Sequence, residues 1–244
     1  MTIAVASIGS KGDTAARSAY TCPLTRAPDA NKLVLVGVIV NDTGAVPPTG
    51  VRSTSMVFSQ VTDAANFNNV GGGNHDQTIW RSMSGTPDGS IVTVTFAANA
   101  TGCAILVHEV SGISTSGTSG ANAVGQSAIT VKDGVSSLKV VGPSATSTAN
   151  AWIAFQSAIS TEVAVANSDF QQIDTVGFLT ADTHIVSAWT TLSTGTSVTF
   201  TASGVDDRGI TIIELVADNP AEAGGAVFSP YYATYYYPQV VASC

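Results

Sequence analysis

Charge is what this chain has least of. Only 11% of its 244 residues are Asp, Glu, Lys or Arg, and the nine basic residues stand singly rather than in a stripe. Counterion release from a nucleic acid needs clustered Lys and Arg. With a formal net charge of −8, nucleic acid is set aside as a partner. Cysteine is as scarce: Cys22, Cys103 and Cys244 show neither metal-ligand spacing nor an even-numbered disulfide framework. Cys22 and Cys103 read as small core hydrophobes and Cys244 as a free thiol. No apolar run approaches the roughly 20 residues of a membrane span. The opening MTIAVASIGSKGD has no basic stretch and too short an apolar run for a signal peptide. The expectation is a chain made and assembled in a cytoplasm, without membrane contact.

Reactive constellations are missing too. The GGG at 71–73 lacks the GK[ST] ending and following helix of a phosphate loop. No serine occupies a G-x-S-x-G elbow, and no cysteine has a base in sequence context. No cofactor, metal or catalytic residue is assigned, and the chain reads as a non-enzyme. Of the three histidines, His108 is a strand residue whose neighbour Glu109 points to the opposite face. One satisfied hydrogen bond is expected for it. Glu109 and Glu214 recur at matching places and are expected to accept hydrogen bonds from a neighbouring loop's backbone. Asp206 and Asp207, followed by Arg208, read as a solvated hairpin tip.

What is present is a strand signal. Gly, Ser, Thr, Ala and Val dominate, which suits short β-strands joined by small polar turns. In VTVTF, Val92, Val94 and Phe96 share one face and Thr93 and Thr95 the other; Val198 and Phe200 repeat this against Thr199 and Thr201. LVLVGVIV, from Leu33 to Val40, is apolar on both faces and predicts a central strand covered twice. No stretch holds a 3.6-residue period, so helix is minor. The fold class predicted is all-β, with seven or eight strands in each of two tandem antiparallel β-sandwich (jelly-roll-like) domains.

The division rests on an internal repeat. PDANKLVLVGVIV and STANAWIAFQSAI place Asn31 and Asn150 at an offset of 119, which also pairs Ala4-Val5 with Ala123-Val124. Phe96 and Phe200 lie 104 apart, Glu109 and Glu214 lie 105 apart, and Trp80 and Trp189 precede the Phe strands at similar distances. The order predicts a first sandwich over 1–117, a second over 118–218 and an extended Tyr/Pro-rich arm over 219–244. The small-residue stretch 111–123 joins the two as a flexible linker. The extra stretch TDAANFNNVGGGNHD at 62–76 reads as a long exposed loop, whose Phe67, Asn74, His75 and Asp76 form a candidate ligand loop.

The carriers DANKLVLVGVIV, SIVTVTF and AILVHEVSGI, then TANAWIAFQSAI, TSVTFTA and ITIIELVAD, give an order that resembles small β-sandwich modules of tailed-bacteriophage structural proteins and some bacterial surface proteins. The resemblance covers about residues 1–218, twice over. It departs where the Gly that often precedes the Asn is absent, and where TGVRSTSM lacks a Gly-Trp. It implies a virion component of the decoration or cement type.

The arm carries five of the chain's six tyrosines. Tyrosine brings large contact area and a polar handle at little entropic cost. Phe228, Tyr231, Tyr232, Tyr235, Tyr236 and Tyr237 are therefore expected to be inter-subunit contacts to other virion proteins or to neighbouring copies in a homo-oligomer. The alternative for the arm is an intramolecular flap. The alternative for the protein is a tail-fibre or surface module that binds glycans through the 62–76 loop.

Overall fold

The computed structural model describes residues 2–42, 46–68, 74–87, 89, 91–159, 163–178, 183–192 and 196–218. The arm and its tyrosines lie outside the described residues. Among the described residues fourteen strands carry almost all the regular structure, all paired antiparallel. They are β1 (Ala4–Asp13), β2 (Arg17–Pro23), β3 (Leu33–Asp42), β4 (Pro48–Arg52), β5 (Ser59–Asn68), β6 (Asn74–Met83), β7 (Ile91–Ala100), β8 (Gly102–Ser111), β9 (Val124–Val141), β10 (Ala151–Ile159), β11 (Val165–Ala166), β12 (Gln171–Phe178), β13 (Thr183–Thr190) and β14 (Ser197–Leu215). The fold is all-β, as the alternating patterns require.

In the first half a large sheet runs β1-β8-β3-β6-β5 and a small one β2-β7-β4. First strand pairs with last, second with second-last and third with third-last, the nested winding of a jelly roll, with β5 on the edge of the large sheet. Val92, Val94 and Phe96 of β7 face Val36, Val38, Ile105 and Val107 in one apolar layer. Thr93 and Thr95 face outward.

The second half repeats this order with fewer, longer strands. Residues 124–135 of β9 pair with the later part of β14, and 137–141 with its start. Register shifts after Thr201 and Asp206 mark the bend in β14, as bulges do where a strand turns a corner. The resulting order, β9-β14-β10-β13-β12, matches β1-β8-β3-β6-β5. Leu138, Val140, Val198 and Phe200 then cover Trp152, Ala154, Val186 and Ile212.

Position by position the two halves match differently from the short sequence matches. With Glu109 set on Glu214, Leu33 opposite Val110 corresponds to Ala151 opposite Leu215. Asn150 therefore falls at the place of Lys32, not Asn31. By the same register Trp189 falls at Arg81, because Leu35 faces Arg81 and Ile153 faces Trp189. Trp80 packs in the first half's own core, while Trp189 packs between the halves.

A third apolar layer lies between the two large sheets. Leu33, Leu35, Ile39, Ile79 and Leu106 from one meet Ile153, Phe155, Ile185, Ile213 and Leu215 from the other. Contacts are reciprocal: β1 lies against β12 and β5 against β9, the same pairing with the halves exchanged. Two glycines permit the approach. A Cβ at Gly12 would overlap the Gly177 carbonyl oxygen, and one at Gly37 would meet the Phe155 ring at 2.7 and 2.8 Å. Nor is 111–123 a loose linker: Ile113 is buried and bridged to Ala217, and Arg81 binds the Thr118 and Ser119 carbonyls around a short 3-10 segment.

Phe155 over Gly37 is thus a knob in a hole. Gly37→Ala is expected to lower stability by about 1–3 kcal/mol through overpacking, read as a lower urea midpoint at unchanged slope. An unchanged midpoint would show that the seat is not tight.

Candidate functional site

Residues 62–68 and 74–76 of the predicted loop are strand, the end of β5 and the start of β6. Asn66 faces Asp76, Phe67 faces His75 and Asn68 faces Asn74 across the β5–β6 pair, and 69–73 lie outside the described residues. His75 and Asp76 are buried, at 1% and 4% exposure. The His75 Nε2 lies 3.1 Å from the Thr183 Oγ1 of the other half. One turn of strand further on, the Gln77 Nε2 donates to the Phe155 carbonyl at 3.0 Å, and the Thr211 hydroxyl donates to the Gln77 Oε1 at 3.3 Å. These side chains tie the halves together. The composition signalled turns, but pairing with β6 satisfies the backbone of β5 and overrides that preference.

Glu109 and Glu214 stand at equivalent places in β8 and β14, and each holds the loop that enters the next large-sheet strand. Glu109 takes a forked pair from Arg26, Nη2 to Oε1 at 2.8 Å and Nη1 to Oε2 at 3.1 Å, and accepts the Asp29 N–H at 2.6 Å. Glu214 accepts the Thr146 N–H at 2.6 Å, the Thr146 hydroxyl at 2.9 Å and the Asn150 amide at 2.7 Å on Oε1. Its Oε2 accepts weaker bonds from the backbone and side-chain amides of Gln126. Asn150 in turn accepts the Ala217 N–H at 3.0 Å. The two Ala-Asn dipeptides therefore differ: Asn150 is part of this network, while Asn31 takes a positive φ of 59° in a turn and donates its N–H to Ser84.

Burial opposes ionisation of both carboxyls, but the Arg26 and Asp29 donors for Glu109, and the Asn150, Thr146 and Gln126 donors for Glu214, outweigh it and lower both pKa values. A general acid needs the reverse shift. Both groups are held ionised as acceptors, and their chemistry is fastening.

His108 departs from expectation. It is fully buried between the sheets, stacked on Phe155 with ring centroids 5.7 Å apart, and neither ring nitrogen has a hydrogen-bond partner. Desolvation lowers its pKa to about 4, with the Asp174 carboxylate opposing weakly. The Asp206-Asp207-Arg208 run is also no solvated tip. Arg208 is wholly buried at the bend of β14, donating to the Val135 carbonyl and the Asp206 carboxylate, each at 2.9 Å. The Asp207 carboxylate accepts the Gly134 N–H at 2.9 Å.

Cys22 and Cys103 are buried free thiols in the first half's core, with desolvation raising Cys22 to about 12. Among the described residues no three His, Cys, Asp or Glu side chains converge as metal ligands. Compared with known protein families, curated proteins and solved structures, the chain matches no family model, no curated protein and no solved structure.

Two outcomes test the fasteners. Glu214→Gln puts an amide NH2 among donors only, and is expected to cost about 2–4 kcal/mol in chemical denaturation; a change under half a unit of kcal/mol would remove Glu214 from the structural account (roughly the noise between surface substitutions). Acid titration separates the buried groups. An unfolded histidine protonates near pH 6.5 while folded His108 does so near 4, so its stabilisation is complete above 6.5 and declines by about 3 kcal/mol as pH falls to 4. The two glutamates, with depressed folded pKa values, stabilise above the ordinary carboxylate range and lose that contribution at lower pH. His108→Leu is expected to flatten the stability profile between pH 6.5 and 4 only; a profile identical to the parent's would assign that slope elsewhere.

Proposed function

We propose that this chain is a structural component of a bacteriophage virion, a decoration (cement) protein that covers or stabilises the capsid exterior. The observation that carries the reading is the use made of its polar groups. Glu109, Glu214, His75, Gln77 and Arg208, the residues with most chemical potential, hold loops, halves and a strand bend in place. A chain so arranged is a stiff block rather than a catalyst, and its resemblance to phage structural modules supplies the setting. Its partners would be other virion proteins or copies of itself, met through Phe228 and the tyrosines at 231–237. Tail-fibre glycan recognition through the 62–76 segment is less favoured, because two of its four candidate residues, His75 and Asp76, are buried.

Mass measurement of the full chain and of a chain ending at Asp218, alone and mixed with particles stripped of the protein, tests this. The full chain is expected to self-associate or bind particles. The shortened one should stay monomeric with an unchanged melting temperature. Unaltered assembly with a lower melting temperature would make the tyrosine stretch an intramolecular flap and remove the decoration role assigned to it.

A further inference from the structure

The outer face of the first small sheet carries a groove of about 490 Å³ lined by Thr21, Arg52, Ser53, Thr54, Ile91 and Thr93. Strand register sets its floor. Thr21 of β2 faces Thr93 of β7, which faces Arg52 of β4, so three outward side chains form one row across the sheet. Their neighbours Cys22, Val92 and Val51 point into the core.

Three features distinguish this row from an ordinary polar surface. First, four of the five arginines are engaged: Arg17 with Asp13, Arg26 with Glu109, Arg81 with two carbonyls, and Arg208 with Asp206. The Arg52 guanidinium has neither a hydrogen bond nor an ion pair among the described residues. Second, the Ser53 hydroxyl beside it is buried and unpartnered, although a fold rarely leaves a buried polar group without a partner. Third, the second half carries a groove of about 260 Å³ at the corresponding place. Tyr20 faces Val94 as Val140 faces Val198, so Thr21 and Thr93 correspond to Val141 and Ser197. Both of those line the second groove, together with Lys139, Ser144 and Thr196. Each half thus presents hydroxyls, an aliphatic side chain and one cation around that pair of positions, with the cation differently placed: Arg52 reaches it from β4, and Lys139 from β9 at the place of Ala19.

The chemistry of the lining selects the ligand. A guanidinium without a partner offers a planar fork of N–H donors suited to a carboxylate. Threonine and serine hydroxyls both donate and accept, matching a ligand that does the same. Ile91, 47% exposed, gives an aliphatic surface for the C–H face of a sugar ring. No aromatic lines the groove to stack a nucleobase. We propose that the Arg52 groove binds a carboxylate-bearing saccharide, with Arg52 taking the carboxylate and Thr21, Ser53 and Thr93 the ring hydroxyls, and that the Lys139 groove is a smaller site of the same class. The site is independent of the decoration role, and either stands if the other falls.

The test uses the full chain on an array of uronate- and sialate-bearing oligosaccharides beside their neutral counterparts. The best binder and inorganic phosphate are then titrated separately against ¹⁵N-labelled protein. The expected result is binding of acidic members over neutral ones, with amide shifts centred on Thr21, Arg52, Ser53 and Thr93. Arg52→Gln should weaken that binding at least about tenfold, the lower end for a charged hydrogen bond, at an unchanged melting temperature. No binding by any acidic member, equal binding of neutral members, or shifts confined to the β5–β6 hairpin would overturn the proposal. So would affinity retained in Arg52→Gln. Phosphate producing the same shifts at the same concentration would make this a plain anion site, and an Arg52-dependent complex with a protein carboxylate in place of a saccharide would make it a protein contact.

Discussion

The rest of this structure depends on the contact between its two large sheets. Each presents an apolar face that its own small sheet does not cover, and these faces close on one another, with Phe155 seated over Gly37 and His108 stacked beside it. An aromatic ring can approach a strand this closely only where the strand has no Cβ. Left open, either face would be a contiguous apolar surface larger than a soluble chain tolerates. Neither half buries that face by itself. The polar groups at its margins follow from the same constraint: once buried they need partners, and His75 and Gln77 find theirs across the contact.

Much of this was legible because period-two alternation reports burial directly. LVLVGVIV is apolar at every side chain that faces either layer, and β3 is covered twice, by its own small sheet and by the partner sheet. VTVTF and SVTF put Val and Phe inward and Thr outward as written. Alternation does not name a strand's neighbour, so the nested order and the closure of the halves could not be read. Matching short words by eye also ignored strand register: Asn31 with Asn150 and Trp80 with Trp189 agree in type but differ in position, whereas Glu109 and Glu214 agree in both. Composition misled where tertiary pairing won. Asn66, Asn68 and Asn74 became paired strand positions, a small-residue linker became a pinned crossing, and Asp-Asp-Arg became a buried clamp at a bulge.

The two glutamates show why recurrence and burial do not by themselves mean catalysis. A carboxyl in an apolar strand has a raised pKa when nothing donates to it and a lowered one when several donors converge. In both halves the shortest bonds come from the loop that enters the third strand of the winding, the connection that carries the chain from the small sheet back to the large one. Fixing that crossing sets where the central strand begins, and hence which of its residues face which layer. The same geometric task is met by different partners, an arginine fork in one half and an asparagine–threonine set in the other. What persists is the acceptor.

The arrangement also dictates where a partner can be met. Both faces of each large sheet are spent, one on its small sheet and one on the opposite large sheet. Their outer strands lie alongside one another in reciprocal pairs, β1 with β12 and β5 with β9. The sheet surface that remains is the outward face of the two small layers, where threonine and serine alternate with the buried valines. An outward threonine row costs the fold little, since β-branched hydroxyl residues hold strand geometry without demanding burial. Such a row is free to vary in its cation and its flanking loop, and the two halves have done so: Arg52 faces Thr93 from β4 in one, while Lys139 faces Thr199 from β9 in the other, at the place that Ala19 holds in the first half.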